Sequence, residues 1–138
     1  MYLMTTIDEH KKTIKEFLDD INEKINANLL IERQKLIGFS ASEAATNLFA
    51  LLLHSKMLIE PSFSLNHRFF ASKKIAEKTF NFDFANKEKL IELLVKQEEF
   101  RNKLCYGRDK NAEVVYDAVK NLFEIKKLTE AGLEMEEK

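Results

Sequence analysis

Residues Glu43 to Leu53 read EAATNLFALLL, and the run Leu48–Leu53 is apolar around the whole circumference of a helix instead of along one stripe. A helix of that kind needs neighbours on most of its sides. The segment therefore predicts a central helix in an all-α bundle, within a longer run from Leu29 toward Ile59 that Gly38 kinks or divides.

Working outward, the flanking segments carry one apolar stripe each. Upstream, Ile7, His10/Lys11, Ile14, Phe17/Leu18, Ile21 and Ile25 follow the three-four alternation of a helix facing one partner, which predicts a helix over about 5–27. Downstream, EPSFSLN (60–66) holds the only proline and reads as a loop. A short helix over about 67–80 follows, then a break at NFDFAN (81–86) with Asn86 placed to cap a helix over about 87–106. Gly107 stands where a left-handed residue closes a helix, and Asn111 can cap a last helix whose stripe is Val115, Ala118/Val119, Leu122 and Ile125. The expected fold is a bundle of four long helices and one short helix in a single domain over 1–130, with the tail AGLEMEEK (131–138) frayed.

Composition agrees with this reading. Three Gly and one Pro in 138 residues, with 33% charged residues interleaved among 45% hydrophobic ones, favour long helices over many turns. A net charge of −1 supplies no global field toward nucleic acid or acidic lipid, so any such contact is local, at HRFFASKKIAEK (67–78) or RNKLCYGRDK (101–110). The more ordinary reading of both stretches is a solvated helix face. Cys105 is the only cysteine, which excludes an internal disulfide and any paired-cysteine metal site. The N-terminus lacks the apolar core of a signal peptide, and no uninterrupted apolar run nears a membrane span. These features lead to an expectation of a soluble, cytoplasmic protein without membrane contact, metal or cofactor.

The sharpest anomaly is Arg101. At about 100° per residue it falls among Leu90, Leu93, Leu94, Phe100, Leu104 and Cys105, with Gln97 one turn back. A guanidinium there is costly unless acceptors meet its donors. The bland account is a structural ion pair or a snorkelled head group; the sharper one is a cleft where the planar fork binds a phosphate. Glu43 is the candidate partner, at the start of a line Glu43, Asn47, Ala50 and His54 that could instead face water. His54 lies roughly 16 Å along the helix from Glu43, too far for one small site. His10 and His67 read as surface histidines, and no Ser–His–Asp, paired-carboxylate, glycine-loop or HExxH pattern is present.

EAATNLFALLL, a loop, a short helix, QEEFRNKLCYG and then AEVVYDAVKNL together resemble the HEPN superfamily over about residues 5–128, and most of all its HepT-like branch of small helical proteins encoded beside a minimal nucleotidyltransferase. The resemblance implies a homodimer, a nucleotidyltransferase partner, and a metal-independent ribonuclease site at the dimer interface built on Arg and His. Arg101, Asn102 and Gly107 match that pattern, and Glu43 matches an acidic residue of some members. Tyr106 stands where the family has its histidine, and Arg108 where it has a tyrosine that receives a nucleotide. Proton transfer is most efficient from a group titrating near the working pH, which histidine does and tyrosine, at about 10, does not. Gly107 and Arg108 then serve to position the helix end. The expected function is an interaction protein of a toxin–antitoxin or defence-type pair, binding a nucleotidyltransferase and RNA or a nucleotide near Arg101, Asn102, Tyr106 and Glu43. An active ribonuclease and a purely structural helical domain are the alternatives.

Overall fold

The apolar segment acquires three helical neighbours. In the computed structural model, which describes residues 2–136, α2 (Gln34–Ser55) packs against α1 (Tyr2–Asn26), α4 (Lys87–Cys105) and α5 (Ala112–Glu136), while a 3₁₀ turn (His67–Phe70) and the short α3 (Lys73–Thr79) close one end. Four helices are long and one is short, with no strand among the described residues. Contacts set the directions. Asp20 meets Ser40 and His10 meets Asn47, so α1 runs antiparallel to α2. Arg101 meets Ser42 and Cys105 meets Lys35, so α4 is antiparallel as well. Lys110 meets Gln34 and Gly132 meets Leu52, so α5 runs parallel to α2.

Phe49, Leu52 and Leu53 are fully buried, together with Ala41, Ala44 and Ala45, whose small side chains let neighbouring helices approach. By length and composition α2 reaches the measure of a membrane span, contrary to expectation, although 78% of its apolar window is buried by the protein itself, as in a core helix.

The structure revises several boundaries. The predicted helix from Leu29 begins only at Gln34, because residues 27–33 form a turn with Asn28 at φ 57°. Gly38 neither kinks nor divides α2: a Cβ at that position would stand 2.7 Å from Leu104 Cβ, so the glycine admits α4. The helix expected over 67–80 is two pieces, each with its own cap: Asn66 Oδ1 accepts from Arg68 N, and Ser72 Oγ accepts from Ile75 N. Asn86 takes a left-handed conformation at φ 64° without a side-chain capping bond, whereas Asn111 Oδ1 does accept from Val114 N. The tail expected to fray from residue 131 is helical through Glu136, anchored where buried Gly132 lies against Leu52; residues 137 and 138 are outside the described residues.

Two side-chain clusters complete the core. Phe49, Phe70 and Phe80 contact one another, with Phe63, Phe69, Phe82 and Phe84 around them, so the loops at this end are held by ring packing. Between α4 and α5, Asn121 Nδ2 donates to Leu93 O and Gln97 Oε1, and Gln97 Nε2 donates to Ala118 O. Both amides are buried and satisfied, which ties the helix pair in one register.

Candidate functional site

Arg101 leaves α4 toward α2. Its Nη1 donates to Glu43 Oε2 at 3.0 Å and to Ser42 Oγ at 3.2 Å, and its guanidinium carbon lies 5.0 Å from the centre of the Phe39 ring. The arginine side chain is 11% exposed and that of Glu43 30%, so the charges meet at a partly desolvated edge. Arg101 Nε is buried without a partner. The carboxylate, a hydroxyl and an aromatic face thus offset most of the cost of placing the guanidinium on an apolar stripe.

The other expected site residues spread out from this pair. Asn102 points away from the bundle and is exposed. Tyr106, the extended residue that ends α4, is 63% exposed. Gly107 adopts φ 76°, the left-handed conformation the sequence reading required there. Arg108 is exposed, and it is its backbone carbonyl, accepting from Lys110 Nζ, that takes part in the turn.

The turn is fastened to the start of α2. Gln34 makes a reciprocal pair with the Lys110 backbone, its Oε1 accepting from Lys110 N at 2.6 Å and its Nε2 donating to Lys110 O at 3.2 Å. Lys35 Nζ donates to Gly107 O at 3.0 Å and lies 3.5 Å from Asp109. Cys105 Sγ reaches Lys35 O at 3.4 Å. Burial raises the Cys105 thiol above its ordinary range; the cations Arg101 and Lys35 oppose this and Glu98 adds to it. Its environment therefore favours the thiol over the nucleophilic thiolate.

His10 and His67, expected as surface histidines, are half-buried, and each holds a polar partner. His67 Nδ1 lies 2.8 and 2.9 Å from the two carboxylate oxygens of Glu98, whose side chain is 8% exposed against 25% for the imidazole. Glu98 precedes Arg101 by three residues, so this dyad and the Arg101–Glu43 pair are neighbours along α4. The sequence signal was Glu98 itself, a carboxylate on a half-buried face with no basic partner assigned to it. His10 Nδ1 contacts Asn47 Oδ1 at 2.7 Å, and its ring stacks on that of His54 at 5.4 Å and 22°. The line Glu43, Asn47, Ala50 and His54 consequently faces Arg101 and α1 rather than water, and His54 is 0% exposed.

Two grooves lie apart from these residues: one of about 310 Å3 between α4 and α5 at Leu93, Phe100 and Asn121, and one of about 440 Å3 beside Met57, Pro61 and Phe63. Neither includes Arg101, Glu43 or Tyr106. Among the described residues, no three His, Cys, Asp or Glu side chains converge as a metal site would require. Comparison with family models, curated proteins and solved structures finds no match to the chain.

Proposed function

We propose that this chain is a HEPN-like helical interaction protein of a toxin–antitoxin or defence-type pair, a homodimer that binds a minimal nucleotidyltransferase through the edge around Arg101, with RNA or a nucleotide as a further ligand class. One observation carries the reading: Arg101 is already engaged by Glu43 and Ser42, while Phe39, whose ring lies against it, and Tyr106 at the end of α4 are 41% and 63% exposed. A guanidinium held by an internal carboxylate is poorly placed to meet a reacting phosphate, whereas exposed aromatic rings beside an ordered arginine suit a protein contact. Leu36, 51% exposed and one turn before Phe39 on α2, extends the apolar surface of this edge. The test is coexpression with the product of an adjacent nucleotidyltransferase gene, followed by light scattering. A stable complex lost in Phe39→Ala/Tyr106→Ala supports the reading; an unrelated gene neighbourhood together with a strictly monomeric protein in dilute solution counts against it.

The ribonuclease alternative is favoured by a separate observation, the Glu98–His67 dyad next to Arg101 along α4. A carboxylate on Nδ1 orients an imidazole and leaves Nε2 for proton transfer, which is the function that Tyr106 serves poorly. RNA cleavage in the presence of chelator, abolished by both Arg101→Ala and His67→Asn, would make this the leading reading.

A further inference from the structure

His54 combines three properties that seldom coincide. Its ring is 0% exposed, neither ring nitrogen makes a hydrogen bond of normal geometry among the described residues, and its neighbour is the stacked imidazole of His10. His10 belongs to α1, which packs on no helix other than α2 among the described residues. The two imidazoles therefore sit in the seam between α1 and α2. Burial lowers the pKa of His54, the proximity of His10 adds to this, and the Phe63 peptide group in the following loop opposes part of it. Among the described residues, His10 is the titratable group whose proximity acts on His54; Asn47 on α2, bonded to His10, is neutral.

We infer that the His10–His54 stack is a proton-sensitive latch, which holds α1 on α2 while His54 is neutral and releases α1 as the solution becomes acidic. An imidazolium at His54 is shut off from solvent in the closed form, and the Phe63 peptide group offsets only part of that cost, so the proton binds after α1 has moved away. The sign follows from linkage. The open form binds the extra proton, so the closed form keeps its full advantage above about pH 6.5, the ordinary histidine value, and loses it as the pH falls below that. One proton makes the open population rise about tenfold per pH unit in that range. The same movement lifts Phe17 from Phe39 and Asp20 from Ser40, so it uncovers the α2 edge beside Arg101. The latch does not depend on what binds at that edge.

Amide hydrogen exchange of the full chain between pH 7.5 and 5.5, corrected for intrinsic rates, tests this. The expected result is a loss of protection over Ile7–Ile21 of about tenfold per pH unit below pH 6.5 with α4 and α5 unchanged, and a flat profile in His54→Phe. Loss of protection in all helices together, α1 protection independent of pH, or a pH dependence that survives in His54→Phe would each overturn the latch. If His54→Phe does not fold, the NMR titration of His54 in the unaltered protein decides: a midpoint below the ordinary histidine value supports it, and one at or above that value overturns it.

Discussion

Arg101 and Glu43 meet within one chain, Nη1 to Oε2 at 3.0 Å, across the junction of α4 and α2. Because the arginine is the more buried partner, the two residues are not equivalent: removing the carboxylate leaves a mostly enclosed cation, whereas removing the cation leaves a carboxylate that water can reach. Glu43→Ala is therefore expected to cost about 1–3 kcal/mol in urea unfolding, and Arg101→Met to stay within about 1 kcal/mol of the unaltered protein. Equal losses in the two variants would show that the buried charge is not the dominant effect. If Arg101→Met also changes no binding measurement, the purely structural reading is the one to adopt.

Gly38 is expected to tolerate no side chain. The Cβ of Gly38→Ala would stand 2.7 Å from Leu104 Cβ and 3.3 Å from Cys105 Sγ, on a helix pair whose separation is fixed by the core. The expected loss is about 1–3 kcal/mol despite the better helix propensity of alanine. In Gly38→Ala/Leu104→Ala the losses should not add, because both act on the same contact, and a double-mutant cycle by chemical denaturation measures the difference. Strict additivity would argue that the helices simply move apart.

Gln34 ties the turn after α4 to the first turn of α2 through two bonds to the Lys110 backbone. Its buried side chain replaces a peptide partner there, so Gln34→Leu should cost about 1–3 kcal/mol by leaving the Lys110 amide and carbonyl unpaired. Hydrogen exchange should speed up locally at residues 107–111 while α5 beyond its first turn keeps its protection. Unchanged exchange at Lys110 would mean that water substitutes for the side chain.

For Tyr106 the expected outcome follows from proton chemistry. Under the interaction-protein reading the unaltered chain does not cleave RNA in chelator, and Tyr106→His places an imidazole at the exposed end of the helix that carries Arg101. Cleavage gained by Tyr106→His and lost again with Arg101→Ala would mark a site that has lost its acid–base group. Cleavage by the unaltered protein would instead direct attention to His67 and Glu98.

The helices were legible because their cause is local. A three-four stripe in α1, the all-round apolar LFALLL and the glycine after α4 each specify a helix or its end within a few residues, without reference to the rest of the chain. The same local geometry put Arg101 on the wrong kind of face and so identified it as the residue needing a partner. Boundaries were less secure: Asn86 has the side chain of a cap but the backbone of a left-handed turn, and Gly132 lies inside α5, at a point where Leu52 leaves no room for a Cβ.

What the sequence by itself determined is thus the all-α class, the central place of α2, and the need for an acceptor at Arg101. Only the tertiary structure decided that Glu43 is that acceptor, that Gly38 is a contact with Leu104 instead of a hinge, that His67 meets Glu98, and that His10 meets Asn47 and His54. The physical reason is that periodicity fixes which face a side chain occupies, whereas its partner depends on how far one helix slides and turns against another. That register is set by the whole core together, and no single stripe of residues contains it.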